Sequence, residues 1–164
     1  MKKYVISILL VCGMLMTITG CGEKKENDTN KDNNKNYSKM TCTNNTDAIA
    51  DSITVDIEYE DNYIKNVKYT YNIKDSGETV AKLMQEEFKK DFEKVTGVEE
   101  NYSDKKWIQT YNFEKINLDE YKTARTNYLN YLSNSTTKDF TYIKDNHILL
   151  DSYKNIELSG YTCK

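Results

Sequence analysis

The chain opens on Lys2 and Lys3, then runs apolar from Tyr4 to Thr19, with Ile6, Ile8, Leu9, Leu10, Val11, Met14, Leu15 and Met16. The run is shorter than the roughly 20 residues of a membrane-spanning helix and has the flanks of an export signal. From Gly22 to about Tyr37 almost every position is polar or charged. Such a segment buries too little apolar surface to offset its ordering entropy, so a disordered stalk is expected. After residue 38 the pattern becomes periodic. Ile53, Val55, Ile57 and Tyr59 alternate with Thr54, Asp56 and Glu58, which predicts a half-buried strand. Asp61 and Asn62 supply a tight turn, and Val67, Tyr69, Tyr71 and Ile73 continue the alternation in a second strand. Thr41-Cys42-Thr43 reads as a short strand before this hairpin, and Asn44 to Asp51 as a polar loop.

The period then changes. Asp75 and Glu78 have the spacing of a capping box. Val80, Leu83, Met84, Phe88, Phe92 and Val95 recur in steps of three and four, and Gly97 provides a stop, so an amphipathic helix is predicted. Its outer face carries Lys82, Glu86, Lys89, Lys90 and Glu93. Trp107, Gln109, Tyr111 and Phe113 alternate with Lys106, Ile108, Thr110 and Asn112 in a further strand. Asn117 and Glu120 mark a second cap, followed at helical spacing by Leu118, Tyr121, Ala124, Tyr128, Tyr131 and Leu132. The tyrosines of this stripe are read as core. Ser133 to Lys138 is a polar loop, and Phe140 and Tyr142, extending to Ile143, suggest a short strand. Leu149, Tyr153 and Ile156 favour a third helix ending at Gly160, with Tyr161-Thr162-Cys163 extended after it. The order β-β-β-α-β-α-β-α-β predicts an α+β fold: a mainly antiparallel sheet with two or three helices packed on one face.

Four cysteines refine this layout. Ile18-Thr19-Gly20-Cys21 closes the apolar run and resembles the lipobox of bacterial lipoproteins, in which the cysteine becomes the lipid-bearing first residue of the mature protein. A diacylglycerol on Cys21 would supply the two acyl chains that stable anchoring needs. The expected organisation is a signal peptide over 1–20, the lipidated cysteine and stalk over 21–37, and a single domain over 38–164. Plain secretion with cleavage near Thr19 and a retained anchor are the alternatives. Cys12 leaves with the signal and Cys21 is taken by lipid. Cys42 and Cys163 are left near the two ends of the domain, and in an exported protein they are expected to pair as a disulfide.

Composition narrows the chemistry. The 164 residues carry 14 Tyr, one Trp, one His and no Pro, at a net charge of −3. Losing Lys2 and Lys3 makes the mature chain more acidic still, which excludes the clustered basic face of a nucleic-acid binder. It also leaves lipid, not charge, as the means of membrane attachment. The tyrosines fit either an A- and T-rich codon usage or a tyrosine-lined binding surface, because a phenol offers an apolar face with a polar tip. Trp107, Tyr69, Tyr71 and Tyr111 are the candidate binding surface. His147 is the sole imidazole, and no nucleophile elbow, phosphate-binding loop or calcium loop is present. Two sulfurs do not complete a zinc set, so neither metal nor cofactor is expected. Glu86-Glu87 and Glu99-Glu100 are adjacent carboxylates. A glycosidase needs two carboxyls facing one cleft, and these pairs read as solvated surface.

The lipobox, the polar stalk, Met40-Thr41-Cys42-Thr43 at the start of the domain and Gly160-Tyr161-Thr162-Cys163 at its end carry a resemblance. They resemble small surface lipoproteins of low-GC Gram-positive bacteria and are similar to the YehR-like lipoproteins of unknown function. The resemblance implies a cell-surface α+β lipoprotein and supplies no activity. The expected role is non-catalytic binding of an envelope protein, peptide or glycan on the extracytoplasmic face of the cell membrane. A structural or accessory envelope role comes second, and a carboxylate-based cell-wall hydrolase third.

Overall fold

The computed structural model describes residues 37–132 and 139–164. The expected export signal, Cys21, the expected stalk up to residue 36 and the expected loop Ser133 to Lys138 lie outside the described residues. The spine is the expected hairpin: β2 (Ala50–Glu60) and β3 (Tyr63–Ile73), turned at Asp61 and Asn62, with Asp61 at φ 54°. β1 (Ser38–Asn44) flanks β2, and β5 (Lys106–Asn112) flanks the other side of β3. With β4 (Val98–Ser103) and the terminal β8 (Thr162–Cys163), the antiparallel order is β4-β5-β3-β2-β1-β8. A small hairpin, β6 (Ile143–Lys144) and β7 (His147–Leu149), attaches through β7 to the start of β3. Three helices, α1 (Glu78–Phe92), α2 (Leu118–Leu132) and α3 (Leu150–Glu157), complete the α+β architecture. No helix among the described residues is long and apolar enough to cross a membrane.

Period-two sequence becomes a two-faced sheet. Cys42, Val55, Tyr69 and Gln109 are directly opposite one another across four strands, and all four are buried. Met40, Ile57, Val67 and Tyr111 form the neighbouring row. The helices cover this face, and the apolar area removed from water is the main stabilising term. The opposite face carries Thr41, Asp56, Lys68 and Thr110 in register and is left to solvent. Cys42 and Cys163 are cross-strand partners with Cα atoms 3.9 Å apart and are joined by a disulfide. The bond ties the first strand to the last across a sequence separation of 121 residues.

Several local readings change. Asn44 and Ala50 to Asp51 belong to strands, and the loop between them is held by Asp47, whose Oδ1 accepts from the Ile49 and Ala50 amides at 2.8 and 2.9 Å. Asp75 caps no helix. It sits in a 3-10 turn before α1 and pairs with Lys105. Gly77 is required by close approach, since a Cβ there would lie 2.3 Å from the Ile49 carbonyl oxygen.

The buried stripe of α1 is Ala81, Phe88 and Phe92, while Val80 and Leu83 are 47% and 51% exposed. The two phenylalanine rings set this rotation. Phe88 meets Trp107 edge-on at 5.8 Å, and Phe92 stacks on Phe88 at 4.4 Å. Asn117 does cap α2, its Oδ1 accepting from the amides of Asp119 and Glu120 at 3.0 and 3.3 Å. Tyr121 and Tyr128 of that helix are core, but Tyr131 is 51% exposed.

β4 was not expected, and the short strand expected from Phe140 falls later, as β6 at Ile143–Lys144, paired with an unexpected β7. Both hairpin turns place two consecutive non-glycine residues at positive φ, Asp104-Lys105 and Asp145-Asn146, as a type I′ turn requires. His147 therefore begins a strand, and its ring lies 4.7 Å from that of Tyr63.

Candidate functional site

The strands β3 and β5 aim Tyr69, Tyr71, Gln109 and Tyr111 at the helices, because these residues share the inward parity of the sheet. α2 and α3 answer them with polar groups where an apolar contact would be ordinary. Arg125 lies one turn after Tyr121 on α2, and Glu157 one turn after Tyr153 on α3. Together with Tyr161 these side chains enclose a cavity of about 150 Å³.

The cavity is walled by hydrogen-bonding groups. Arg125 is the sole arginine of the chain. Its Nη2 donates to Glu157 Oε2 at 2.6 Å, and Tyr142 donates to Glu157 Oε1 at 2.9 Å. The hydroxyls of Tyr69 and Tyr153 share a hydrogen bond of 2.7 Å, and Tyr111 donates to Gln109 Oε1 at 3.0 Å. Arg125 Nε is buried without a partner among the described residues. The side chains of Arg125 and Glu157 keep 18% and 13% of their surface exposed, so the cavity meets the surface at this ion pair. A planar, weakly hydrated guanidinium suits such a buried pair better than a lysine would. Burial opposes its charge, but Glu157 and then the surrounding tyrosines outweigh this and hold it protonated.

Burial also pushes the phenols of Tyr69, Tyr111 and Tyr153 well above their usual range, and those of Tyr121 and Tyr161 up to about 12. The unfolded chain, with phenols near 10, then loses protons before the folded one as pH rises. The neutral phenols contribute their full stability below about pH 10, and that stability is lost as pH climbs through the folded values. The expected result is a stability plateau ending near pH 10, then a decline of about 1.4 kcal/mol per pH unit for each phenol that unfolding ionises. Urea titrations at stepped pH check this. Stability that holds constant to pH 12 would contradict the buried tyrosine cluster.

A second concavity, of about 400 Å³, runs between α1 and β4. Among the described residues, β4 is the outer strand of the sheet and pairs only with β5. Phe88 and Phe92 line the groove with Val98, and charged side chains ring it. Glu100 occupies an inward position on β4, opposite Gln109. It is far from a solvated carboxylate: it accepts from Gln85 Nε2 at 3.0 Å and Trp107 Nε1 at 3.2 Å and pairs with Lys89 at 3.2 Å. Lys90 pairs with Glu87. Glu93 and Glu99 also line the groove and have no ion pair among the described residues.

The candidate surface residues are therefore divided. Tyr69 and Tyr111 are buried and Tyr71 is half-buried, and all three line the polar cavity. Trp107 is fully buried behind Glu100. They do not make a solvent-facing platform, because the sheet parity that brings them onto one face also points that face at the helices. Cys42 and Cys163 line neither concavity and act as the clasp of the sheet. Cys21 lies outside the described residues. Arg125 and Glu157 had drawn no attention in the sequence, and Tyr153 only as a position of the third helix. The available signals were a lone arginine on an apolar helix stripe and a glutamine inside a Trp-x-Gln-x-Tyr alternation.

No protein-family model and no curated protein matches the chain. Among solved structures, the NMR structure of the E. coli YehR protein is similar, with a TM-score of 0.53 at 14% identity over 77% of this chain and 90% of that one. A protein from Streptococcus pneumoniae TIGR4 gives a TM-score of 0.44 at 15% identity, over 96% of this chain and 99% of that one. The chain thus has a YehR-like fold.

Proposed function

We propose that this chain is an exported lipoprotein, held at the extracytoplasmic face of the cell membrane by lipid on Cys21, whose domain is a non-catalytic binding module for an envelope partner. The Cys42–Cys163 disulfide supports the compartment, since such bonds persist where the environment is oxidising. The observation that carries the binding role is the groove beside the free edge of β4. An edge strand presents unpaired amides and carbonyls, and an extended peptide can add to it as a further strand while its side chains enter the adjoining groove. Lys89 and Lys90 are spent on Glu100 and Glu87. Glu93 and Glu99 favour a lysine- or arginine-bearing segment. A second copy of the chain is a poor occupant, because pairing two β4 strands would bring Glu99 and Glu100 against their like charges.

A capped decapeptide of alternating valine and lysine tests this reading. It should bind saturably and slow amide hydrogen exchange over residues 98–103. The surface variant Glu93→Lys with Glu99→Lys should abolish that protection while the melting temperature is kept. Absence of saturable binding, or protection confined to other strands, would refute it.

A further inference from the structure

The geometry points to a second binding site that shares no residue with the groove: the tyrosine-walled cavity takes a small zwitterionic α-amino acid. The argument is one of unmatched groups. Arg125 Nε is a buried donor without a partner among the described residues. Gln109 is 3% exposed and receives the Tyr111 hydroxyl on Oε1, while its Nε2 makes no hydrogen bond among the described residues. The hydroxyl of Tyr71, half-buried at the cavity margin, makes none among them either. Arg125 Nε is the one buried donor of the three, and Gln109 and Tyr71 bring unpaired donors to the cavity lining, so the cavity calls for an occupant rich in acceptors.

Charge selects among acceptors. Arg125 and Glu157 already neutralise each other. A bare carboxylate would add an uncompensated charge to a poorly solvated space, and a bare amine would do the same with opposite sign. A zwitterion adds none. Its carboxylate matches the Gln109 amide and the Tyr71 hydroxyl, with the Arg125 charge beside them. Its ammonium matches Glu157, which accepts one bond on each oxygen and has lone-pair sites to spare. The tyrosine faces favour the same cation. Size selects the side chain. A cavity of about 150 Å³ accepts a benzene-sized guest, about six heavy atoms, which suits glycine, alanine or serine and excludes an aromatic amino acid. The competing occupant is water, about five molecules at roughly 30 Å³ each.

Calorimetric titration and thermal melting of the mature protein with L-alanine decide between them, with acetate and ethylamine as half-ligands. Alanine should give saturable heat and a raised melting temperature, and neither half-ligand should do so at the same concentration. Gln109→Leu, which keeps the core volume and removes two donors, should weaken alanine binding about tenfold or more, the size of a lost hydrogen bond to a charged group. Tyr71→Phe removes one half-buried hydroxyl and carries the same test if Gln109→Leu does not fold, with circular dichroism verifying the fold. No saturable response to alanine, an equal response to acetate or ethylamine, or undiminished binding in both variants would overturn the assignment and leave a hydrated cavity. None of those results bears on the β4 groove, whose lining is separate.

Discussion

Replacing both paired cysteines by alanine, Cys42→Ala with Cys163→Ala, is expected to lower the unfolding free energy of the domain by about 5 kcal/mol. The reasoning runs through the unfolded chain. The bond closes a separation of 121 residues, and the chain-entropy cost removed by so long a loop is about 5 kcal/mol at 25 °C. Whole domains of this size are stable by only about 5–15 kcal/mol, so the loss is a large share of the total. The folded state adds to the effect, because β8 is two residues long and joins β1 through few backbone bonds. Without the disulfide, the segment after α3 should fray first. Urea unfolding with and without reductant measures the free-energy change, and hydrogen exchange over 161–164 locates it. A reduced protein as stable as the oxidised one would show that the clasp contributes nothing.

The second large effect concerns the ion pair over the cavity. Glu157→Ala removes the counter-charge of Arg125 and the acceptor of Tyr142 together. The guanidinium is left mostly buried and unpaired, which costs about 3–5 kcal/mol. Replacing both partners with apolar residues, Arg125→Met with Glu157→Leu, leaves no orphaned charge and should cost far less than the single change. That inversion, a double variant more stable than one of its parents, is the signature of a buried pair. It would not arise for a surface pair, where either change costs under about 1 kcal/mol. Equal costs for the single and double variants in urea unfolding would contradict the burial described here. The pair is thus a poor source of stability. An apolar centre would serve the fold better, which is why the cavity reads as a site for binding.

How much of this was legible beforehand depended on local pattern. The β2–β3 hairpin, β5 and α2 follow from alternation or helical spacing that tertiary packing did not disturb. The disulfide was expected with Cys12 and Cys21 set aside as partners, and Cys42 and Cys163 do pair. β4 escaped because its inward positions are Val98, Glu100 and Tyr102: a glutamate in the middle of the buried row breaks the apolar alternation. That glutamate is tolerated only because Gln85, Lys89 and Trp107 satisfy it, and those contacts are long-range. β6 and β7 were too short to carry a period. The face of α1 was misjudged by including Val80 and Leu83, which are apolar but lie off the row fixed by Phe88 and Phe92. The cavity was not legible because Tyr69, Gln109, Arg125 and Glu157 come from four separate elements. Only sheet parity and helix packing bring them together.

The most direct test of the central claim, an exported lipoprotein with a clasped binding domain, is the intact mass of the protein extracted from membranes. The account predicts a chain that starts at Cys21, carries a diacylglycerol thioether, and is two hydrogens lighter than the dithiol form at Cys42 and Cys163. A chain that retains residues 1–20, or that starts elsewhere without lipid, would contradict it.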